Sequence, residues 1–130
     1  PPMEIEGREV FHDYEEGMAY ARQIGKPVVI DFTGYGCVNC RKMEAYVLDN
    51  DSVKARLQNY VFIELYVDDK RQSDIEQGHT IGDINSRIQR EQFGANAQPF
   101  YVQLDKDGNQ ITEPIAFTTD PMEFINWLKH

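Results

Sequence analysis

The chain has 130 residues, with 13 lysines and arginines against 22 aspartates and glutamates, so its formal net charge is −9. This length fits one domain, and a hydrophobic content of 41% is enough for one core. The negative charge disfavours a nucleic-acid binder and a protein that binds anionic membranes, and two cysteines are too few for a disulfide-rich secreted scaffold.

The beginning of the chain suggests that it is part of a longer protein. Pro1-Pro2-Met3 is not how a native start normally reads, so we interpret the chain as an excised piece. Residues 1–8 are expected to be an N-terminal extension or an expression remnant, and residues 9–130 a single domain. No apolar stretch approaches the roughly 20 residues that a membrane span needs.

Apolar residues recur at helical spacing from residue 13 to residue 24, which predicts a first helix with Asp13 as its N-cap and Gly25 as its stop. Residues 28–32 then form a continuous apolar run that is broken by one carboxylate. Such a run is typical of a central strand covered on both faces.

The same two patterns account for the other elements. Further helices are predicted at 37–48, 51–57, 83–93 and 121–128. The N-caps predicted for the last three of them are Asp51-Ser52, Asp83 and Asp120. Further strands are predicted at 61–67, 99–104 and 111–117, and Pro114 marks the last one as an edge strand.

The connections between these elements complete the predicted architecture. Residues 105–109 are a strong hairpin-turn signal, while residues 68–82 lack any apolar period and predict a surface loop of unusual length. The order α-β-α-β-α-β-β-α predicts an α/β fold with a central mixed sheet of about four strands and helices on both faces.

Cys37 and Cys40 follow a predicted strand and begin a predicted helix. Positions i and i+3 of a helix share a face, so the two sulfurs can close a small disulfide ring. The first cysteine meets unpaired N–H groups and the positive end of the helix dipole, which stabilise its thiolate and lower its pKa. We therefore expect Cys37 to be the attacking thiol and Cys40 to resolve the mixed disulfide.

Three other uses of the cysteine pair are weighed against redox chemistry. A structural zinc site needs four ligands, and His12, His79 and His130 are not spaced as a partner pair. A purely structural bridge would close so short a loop that it removes little unfolded-chain entropy. Two buried inert thiols are the third alternative, and the position of the pair at a helix start favours redox use over all three.

Three segments carry a family resemblance: residues 25–32 (Gly-Lys-Pro-Val-Val-Ile-Asp-Phe), 37–44 (Cys-Val-Asn-Cys-Arg-Lys-Met-Glu) and 98–102 (Gln-Pro-Phe-Tyr-Val). A strand, a CxxC at a helix start, a later X-Pro that opens a strand and a terminal hairpin with a helix resemble the thioredoxin fold over nearly the whole chain. Within that superfamily, the three segments resemble the C-terminal periplasmic domain of the transmembrane thiol:disulfide interchange (DsbD-type) reductases.

In that family the domain takes electrons from a membrane-embedded cysteine pair and passes them to thioredoxin-like or immunoglobulin-like domains in the periplasm. The resemblance implies a protein-disulfide reductase that acts as a soluble periplasmic domain of a bacterial inner-membrane protein. We expect no cofactor other than the redox-active Cys37–Cys40 disulfide, no metal, no nucleic-acid partner, no membrane insertion of this segment and a monomeric state.

The resemblance also assigns roles to two acids, Asp31 and Glu44, which correspond to family carboxylates near the sulfurs. A carboxylate on a buried strand is costly to ionise, so a raised pKa would suit Asp31 to shuttle a proton to or from Cys40. Negative charge on Glu44 would oppose thiolate formation. We hypothesise that both acids keep the dithiol protonated until a partner docks; the alternative for Glu44 is a solvated helix residue.

Substrate contacts are expected around a second motif, Gln98-Pro99. Pro99 resembles the family's cis-proline, which lies beside the disulfide and leaves the preceding backbone free to pair with an extended substrate. Gln98 would then contribute main-chain contacts. Tyr35 stands near the position where most thioredoxin-like sites have Trp, and we expect it to cover the site. For the 68–82 loop, a solvated insertion is preferred over a partner contact.

Two further functions compete with the membrane-linked relay. The first is a free-standing thioredoxin-like reductase that is recharged by a soluble reductase. The second is a peptide-binding module that uses its Pro99 edge to hold peptides, with incidental redox chemistry.

Overall fold

The computed structural model describes residues 2–5 and 7–130, and its centre is a five-stranded mixed sheet in the order β1-β2-β4-β3-β5. Strands β2, β4 and β3 run parallel, whereas β1 and β5 are antiparallel to their neighbours at the two edges. The strands are β1 (Met3–Ile5), β2 (Arg8–Phe11), β3 (Val28–Thr33), β4 (Val61–Tyr66) and β5 (Phe100–Leu104).

Helices cover both faces of the sheet, which confirms the predicted α/β class. On one face of the sheet, side chains of α1 and α4 pack against residues of β3 and β4 and form one hydrophobic core. On the other face, side chains of the remaining helices pack against the sheet and form a second core. The helices are α1 (Tyr14–Ile24), α2 (Val38–Met43), α3 (Asp51–Leu57), α4 (Ile81–Phe93) and α5 (Pro121–Trp127), and a π-helical segment, Glu44–Leu48, continues α2.

Strand β3 is buried along its whole length, as its apolar run predicts. It pairs with β4 on one side and with β5 on the other, so every residue of β3 faces one of the two cores. The one charged residue in this strand, Asp31, is carried into the interior because its neighbours Ile30 and Phe32 fill the opposite face.

The helix boundaries are close to the predicted ones, but two of the predicted N-cap residues are not the caps. Asp13 caps α1 and Gly25 ends it in the left-handed conformation, both as predicted. The prediction that Asp83 caps α4 is wrong. Thr80 is the cap, and Asp83 is the third helical residue, whose carboxylate accepts a hydrogen bond from the Thr80 N–H in a capping box. Helix α3 is likewise capped by Asn50 rather than by Asp51-Ser52.

The strand predicted at 111–117 does not form. The segment and the residue before it touch the sheet at two isolated bridges, Tyr101 with Ile115 and Leu104 with Gln110. Between them lies Pro114, which has no N–H to donate to a ladder, so continuous pairing with β5 is interrupted. The turn at 105–109 that precedes the segment is present, with Asp105 accepting the N–H groups of Asp107 and Asn109.

Two strands at the other end of the chain were not predicted. Met3–Ile5 pairs antiparallel with Arg8–Phe11, and Arg8–Phe11 in turn pairs with β4. Strands of three and four residues are too short to give a clear alternation of apolar and polar residues. The interpretation of residues 1–8 as an extension stays a prediction, and Pro1 and Glu6 lie outside the described residues.

The connection between β4 and α4 is the long loop that the sequence predicts. It is pinned by a bridge between Gln72 and Thr80, by an ion pair from Arg71 to Asp69, and by a second ion pair from Arg87 on α4 to Glu76. Among the helices of the described residues, none has the length and apolar character needed to cross a membrane.

Candidate active site

Cys37 and Cys40 are joined by a disulfide at the carboxyl end of β3, and their Cα atoms are 5.2 Å apart. Cys37 is the N-cap of α2, and its Sγ accepts a hydrogen bond from the Cys40 N–H at 3.1 Å. Cys37 is partly exposed, whereas only 1% of Cys40 is accessible. The accessible sulfur is therefore the one whose thiolate the helix start would stabilise.

The Gln98–Pro99 peptide bond is cis and lies beside the disulfide. The Gln98 carbonyl oxygen is 3.7 Å from Cys37 Sγ, so a reduced Cys37 thiol would face a hydrogen-bond acceptor. Gln89 on α4 holds this turn in place. It is fully buried, its amide accepts from the Gln98 side chain at 2.8 Å, and it donates to the Ala97 carbonyl at 2.9 Å.

The turn before Cys37 is held by Asp68, which follows β4. Its two carboxylate oxygens accept the N–H groups of Tyr35 and Gly36 at 2.8 and 3.0 Å. Burial of the Asp68 carboxylate would raise its pKa, but the two backbone hydrogen bonds stabilise the ionised form more strongly, so the pKa of Asp68 is lowered. The Tyr35 ring stacks on Tyr66, with centroids 3.9 Å apart, and remains 56% exposed. Tyr35 therefore forms a fixed wall beside the turn.

Asp31 is buried in the middle of β3, and within the described part of the chain its carboxylate oxygens make no hydrogen bond of good geometry, although the Tyr101 hydroxyl lies close enough to act on them as a weak donor. Burial raises the pKa of Asp31 well above its ordinary value, and the charges of Glu64 and Glu44 raise it further against the opposing effects of Tyr101 and Arg8. The sheet explains this placement, because Asp31 is in register with Glu64 on β4 and with Tyr101 on β5.

Glu44 is the first residue of the π-helical segment and is half-buried. Its carboxylate pairs with Arg41 at 2.8 Å, and Arg41 also donates to the Thr33 hydroxyl at 3.2 Å. Burial raises the pKa of Glu44 despite the Arg41 charge, and Glu64 adds to the increase. Glu44 is thus an anchored acid next to the site rather than a freely solvated one.

Glu64 is a third acid at this end of the sheet. Its side chain is 16% exposed, and its carboxylate accepts from His12 Nε2 at 3.1 Å and from the Tyr66 hydroxyl at 3.3 Å. Sequence reasoning assigned no role to Glu64, Asp68 or Gln89. Their connection to the site depends on pairings between strands, loops and helices that are distant in sequence, and no local motif marks them.

Apolar side chains surround the exposed sulfur. Val38, the residue after Cys37, is 67% exposed, and Tyr35, two residues before Cys37, is 56% exposed. Exposed apolar groups gathered around a reactive group are typical of a surface that contacts another macromolecule. In residues 2–5 and 7–130 no set of three or more His, Cys, Asp or Glu side chains is arranged to hold a metal ion.

This arrangement can carry out thiol-disulfide exchange. An accessible sulfur at a helix N-terminus provides the nucleophile, and a second, buried sulfur lies within bonding distance to displace whatever becomes attached to the first. A buried acid with a raised pKa can take up or release a proton at a pH above the ordinary carboxyl range. Of the predicted site residues, Cys37 and Cys40 form the disulfide, Gln98 and Pro99 lie beside it, and Tyr35 lies in the turn that precedes it. Asp31 and Glu44 form an acidic group together with Glu64.

Comparisons with known proteins agree with this geometry. A family model described as a thioredoxin-like domain matches residues 14–130. Among solved structures, the reduced C-terminal domain of Neisseria meningitidis DsbD superposes with a TM-score of 0.66 at 23% identity, covering 87% of this chain and 89% of that one. A structure described as a DsbH oxidoreductase gives a TM-score of 0.70 at 18% identity, with 98% and 88% coverage. These likenesses show the fold.

Curated relatives carry the name thiol:disulfide interchange protein DsbD. The Yersinia pestis protein is 27% identical over 110 residues, or 85% of this chain and 16% of the relative. The Vibrio vulnificus protein is 33% identical over 64 residues, or 49% of this chain and 11% of the relative. The chain therefore matches only a small part of these much longer proteins. It belongs to the thioredoxin-like domain family, is related to DsbD and carries the Cys37–Cys40 pair.

Proposed function

We propose that this domain is a protein-disulfide reductase that relays electrons from a membrane-embedded dithiol to disulfides of periplasmic proteins. One observation carries the proposal: a disulfide whose accessible sulfur caps a helix and lies beside a cis-proline turn, with its second sulfur buried. The related proteins are named for thiol:disulfide interchange, which supports the same chemistry here.

The reductive half-reaction begins with both cysteines as thiols. Cys37 loses its proton, its thiolate attacks one sulfur of the partner disulfide, a bond forms between Cys37 and that sulfur, and the other partner sulfur leaves as a thiolate that takes up a proton. Cys40 then loses its proton and attacks Cys37 Sγ. The mixed disulfide breaks, the Cys37–Cys40 bond forms, and the second partner sulfur leaves and is protonated. Two electrons and two protons have passed to the partner.

Asp31 is proposed to accept the Cys40 proton in the second step. A carboxyl whose pKa is raised by burial lies closer in acidity to a thiol, so a proton passes between the two groups at a smaller free-energy cost. Glu44 is proposed to keep the resting dithiol protonated, because its negative charge opposes a second negative charge on the sulfurs. The Arg41 ion pair holds Glu44 in position for this role.

The partner is proposed to dock on the apolar residues around Cys37. Val38 and Tyr35 supply exposed apolar surface, and the backbone of Gln98 offers hydrogen-bonding groups to an extended segment. After the exchange, a membrane-embedded dithiol would attack the Cys37–Cys40 disulfide and return the domain to its reduced state. This upstream step, the periplasmic location and the identity of the thioredoxin-like or immunoglobulin-like partners rest on the resemblance to DsbD.

Trapping of mixed disulfides tests the relay. In a Cys40→Ser variant the Cys37 adduct cannot be resolved, so covalent complexes should accumulate in cells and appear on non-reducing gels. Mass spectrometry should identify one membrane protein and a small set of periplasmic proteins. The matched control is Cys37→Ser, which leaves only the buried Cys40 and should trap nothing. Adducts that are equally abundant in both variants, or a random set of thiol proteins, would contradict a dedicated relay.

The competing functions give different outcomes. A free-standing reductase would trap no membrane protein and would be recharged by a soluble reductase in extracts without membranes. A peptide-binding module would keep its affinity for partners in a Cys37→Ala variant, since binding would not depend on the sulfur, whereas a relay loses turnover completely in that variant.

A further inference from the structure

A groove opens at the same edge of the sheet as the disulfide. Because β2, β3 and β4 are parallel, their carboxyl ends meet at one edge. Cys37 follows β3, His12 follows β2, and Tyr66 ends β4. The groove begins between the Tyr35–Tyr66 stack and Ile81, and passes His12. It is therefore continuous with the surface around the reactive sulfur.

Beyond His12 the groove widens between α1, α4 and the loop that joins β4 to α4. One cavity of about 260 Å³ lies between His12 and Ile75, and a second of about 190 Å³ extends from Ile75 to Ile88. The two cavities share Asp13, Ile75 and Ile84, so they form one continuous depression, which we call the Ile75 groove.

The floor and one wall of the Ile75 groove are apolar. Ile81 and Ile84 are half-buried along α4, and Ile75 is 76% exposed at the tip of the loop. The tip is nevertheless fixed. The Ser73 hydroxyl accepts the N–H of Ile75 at 3.1 Å, and Arg87 holds the adjoining Glu76 through two hydrogen bonds of 2.9 and 3.1 Å. An isoleucine held outward by such a turn is preorganised to bury its side chain against a partner.

The rim of the groove is acidic. Five carboxylates line it, while its guanidinium, that of Arg87, is already paired with Glu76. The carboxylates belong to Asp13, Glu15, Glu16, Asp74 and Glu91. A groove with an apolar floor and an acidic rim is complementary to a segment in which apolar and basic side chains alternate.

We propose that the Ile75 groove binds a basic and apolar extended segment of the same polypeptide that presents its disulfide to Cys37. This specificity site rests on the proposed function and extends it. His12 follows β2, and β2 is two strands from β3, so the Ile75 groove begins about 10 Å from the reactive end of β3, or about three residues of extended chain. The recognised segment should thus start about three residues from the partner cysteine.

Two synthetic peptides test the proposal. Each carries an intramolecular disulfide, a three-residue glycine-serine spacer and a five-residue tail, in which leucine alternates with lysine in one peptide and with glutamate in the other. The reduced domain should reduce the lysine peptide about tenfold faster in kcat/KM at low ionic strength, because opposite charges raise the rate of association. The difference should fall to less than about twofold in 0.5 M salt.

Variants connect the difference to the groove. Asp74→Lys should remove much of the preference for the lysine peptide. Asp107→Lys makes the same change of charge in the turn that follows β5, at the opposite edge of the sheet, and should preserve the preference. Ile75→Asp should lower kcat/KM for the lysine peptide about tenfold, as expected for losing one buried aliphatic contact. Met122→Asp, at another exposed apolar residue, on α5, is its control.

The outcomes separate this inference from the proposed function. If the domain reduces both peptides at equal rates, or if the two groove variants behave like their controls, the Ile75 groove is not a specificity site although the reductase activity stands. If neither peptide nor a small disulfide such as 5,5′-dithiobis(2-nitrobenzoic acid) is reduced, the proposed function itself fails. A concentration-dependent dimer that Ile75→Asp dissociates would assign the groove to a second copy of the chain and overturn the proposal.

Discussion

Replacing Asp31 by Asn should change how the stability of the oxidised domain depends on pH. Asp31 is buried without a hydrogen bond of good geometry among the described residues, and burial together with Glu64 and Glu44 raises its pKa well above the ordinary value. The unfolded chain exposes the same carboxyl to water, where its pKa is about 3.9. Between these two pKa values the folded domain holds one proton that the unfolded chain has released.

The size of the effect follows from that single proton. The free energy of unfolding falls by about 1.4 kcal/mol for each pH unit over which only the folded state is protonated. The stabilisation is complete below about pH 4 and is lost as the pH rises through the folded-state pKa of Asp31. Asn carries no titrating proton, so the difference in stability between the native domain and Asp31→Asn should shrink with this slope and then become constant.

Urea unfolding of both proteins provides the measurement. Trp127 is the one tryptophan of the chain and is half-buried, so its fluorescence reports the transition. The disulfide is kept oxidised so that no thiol titrates. Extrapolated free energies at half-unit steps from pH 4 to pH 8 give the difference curve. The pH at which the curve levels off is the folded-state pKa of Asp31, and any constant offset reflects the amide that Asn introduces.

A flat difference curve between pH 4.5 and pH 7 would refute the reasoning, because it would mean that Asp31 is already ionised in the folded domain. Its proposed role as the proton acceptor for Cys40 would then lose its physical basis. Glu44→Gln is the comparison variant. Glu44 is only half-buried and is paired with Arg41, so its curve should have the same sign but should level off at a lower pH.

Three further substitutions test other parts of the structure. Asp68→Ala removes the acceptor for the Tyr35 and Gly36 N–H groups and should cost about 1–2 kcal/mol at pH 7 in urea unfolding. Since the pKa of Asp68 is lowered, this cost should vanish as the pH falls below about 4, the opposite trend to Asp31. Gly82→Ala would place a Cβ atom 2.6 Å from the Val67 carbonyl oxygen, so α4 must shift, and calorimetry should show a loss of about 2 kcal/mol or more. Val47→Ala truncates a fully buried side chain and should cost about 2 kcal/mol in the same assay, while Val38→Ala at the exposed position should cost little.

The sequence was sufficient where one local pattern had one structural outcome. An apolar run of strand length before a CxxC predicted β3 and its burial, and Asp13 and Gly25 bounded α1 because a cap and a left-handed stop are local features. The cis-proline turn was predicted from the resemblance and is present at Pro99.

Prediction failed where one sequence pattern allows two structural interpretations, or where a residue contacts another that is distant in sequence. Thr80 and Asp83 form a capping box, and the side chain of either residue could cap a helix. The prediction assigned the N-cap to Asp83, whereas Thr80 is the N-cap. The 111–117 segment has strand composition, yet Pro114 breaks the ladder. Gln89 was missed because its hydrogen bonds to residues 97 and 98 arise only when α4 packs beside the proline turn.

The two electrostatic influences on the dithiol respond differently to a docked partner. The N–H of Cys40 and the start of α2 favour the Cys37 thiolate whether or not the site is covered. Glu44 opposes it only while it is ionised. A partner that covers the site removes water, which raises the pKa of that carboxyl further and favours its neutral form. Docking should therefore remove this opposing charge at the moment when the thiolate is needed, so Glu44 delays exchange in the free domain without slowing it in the complex.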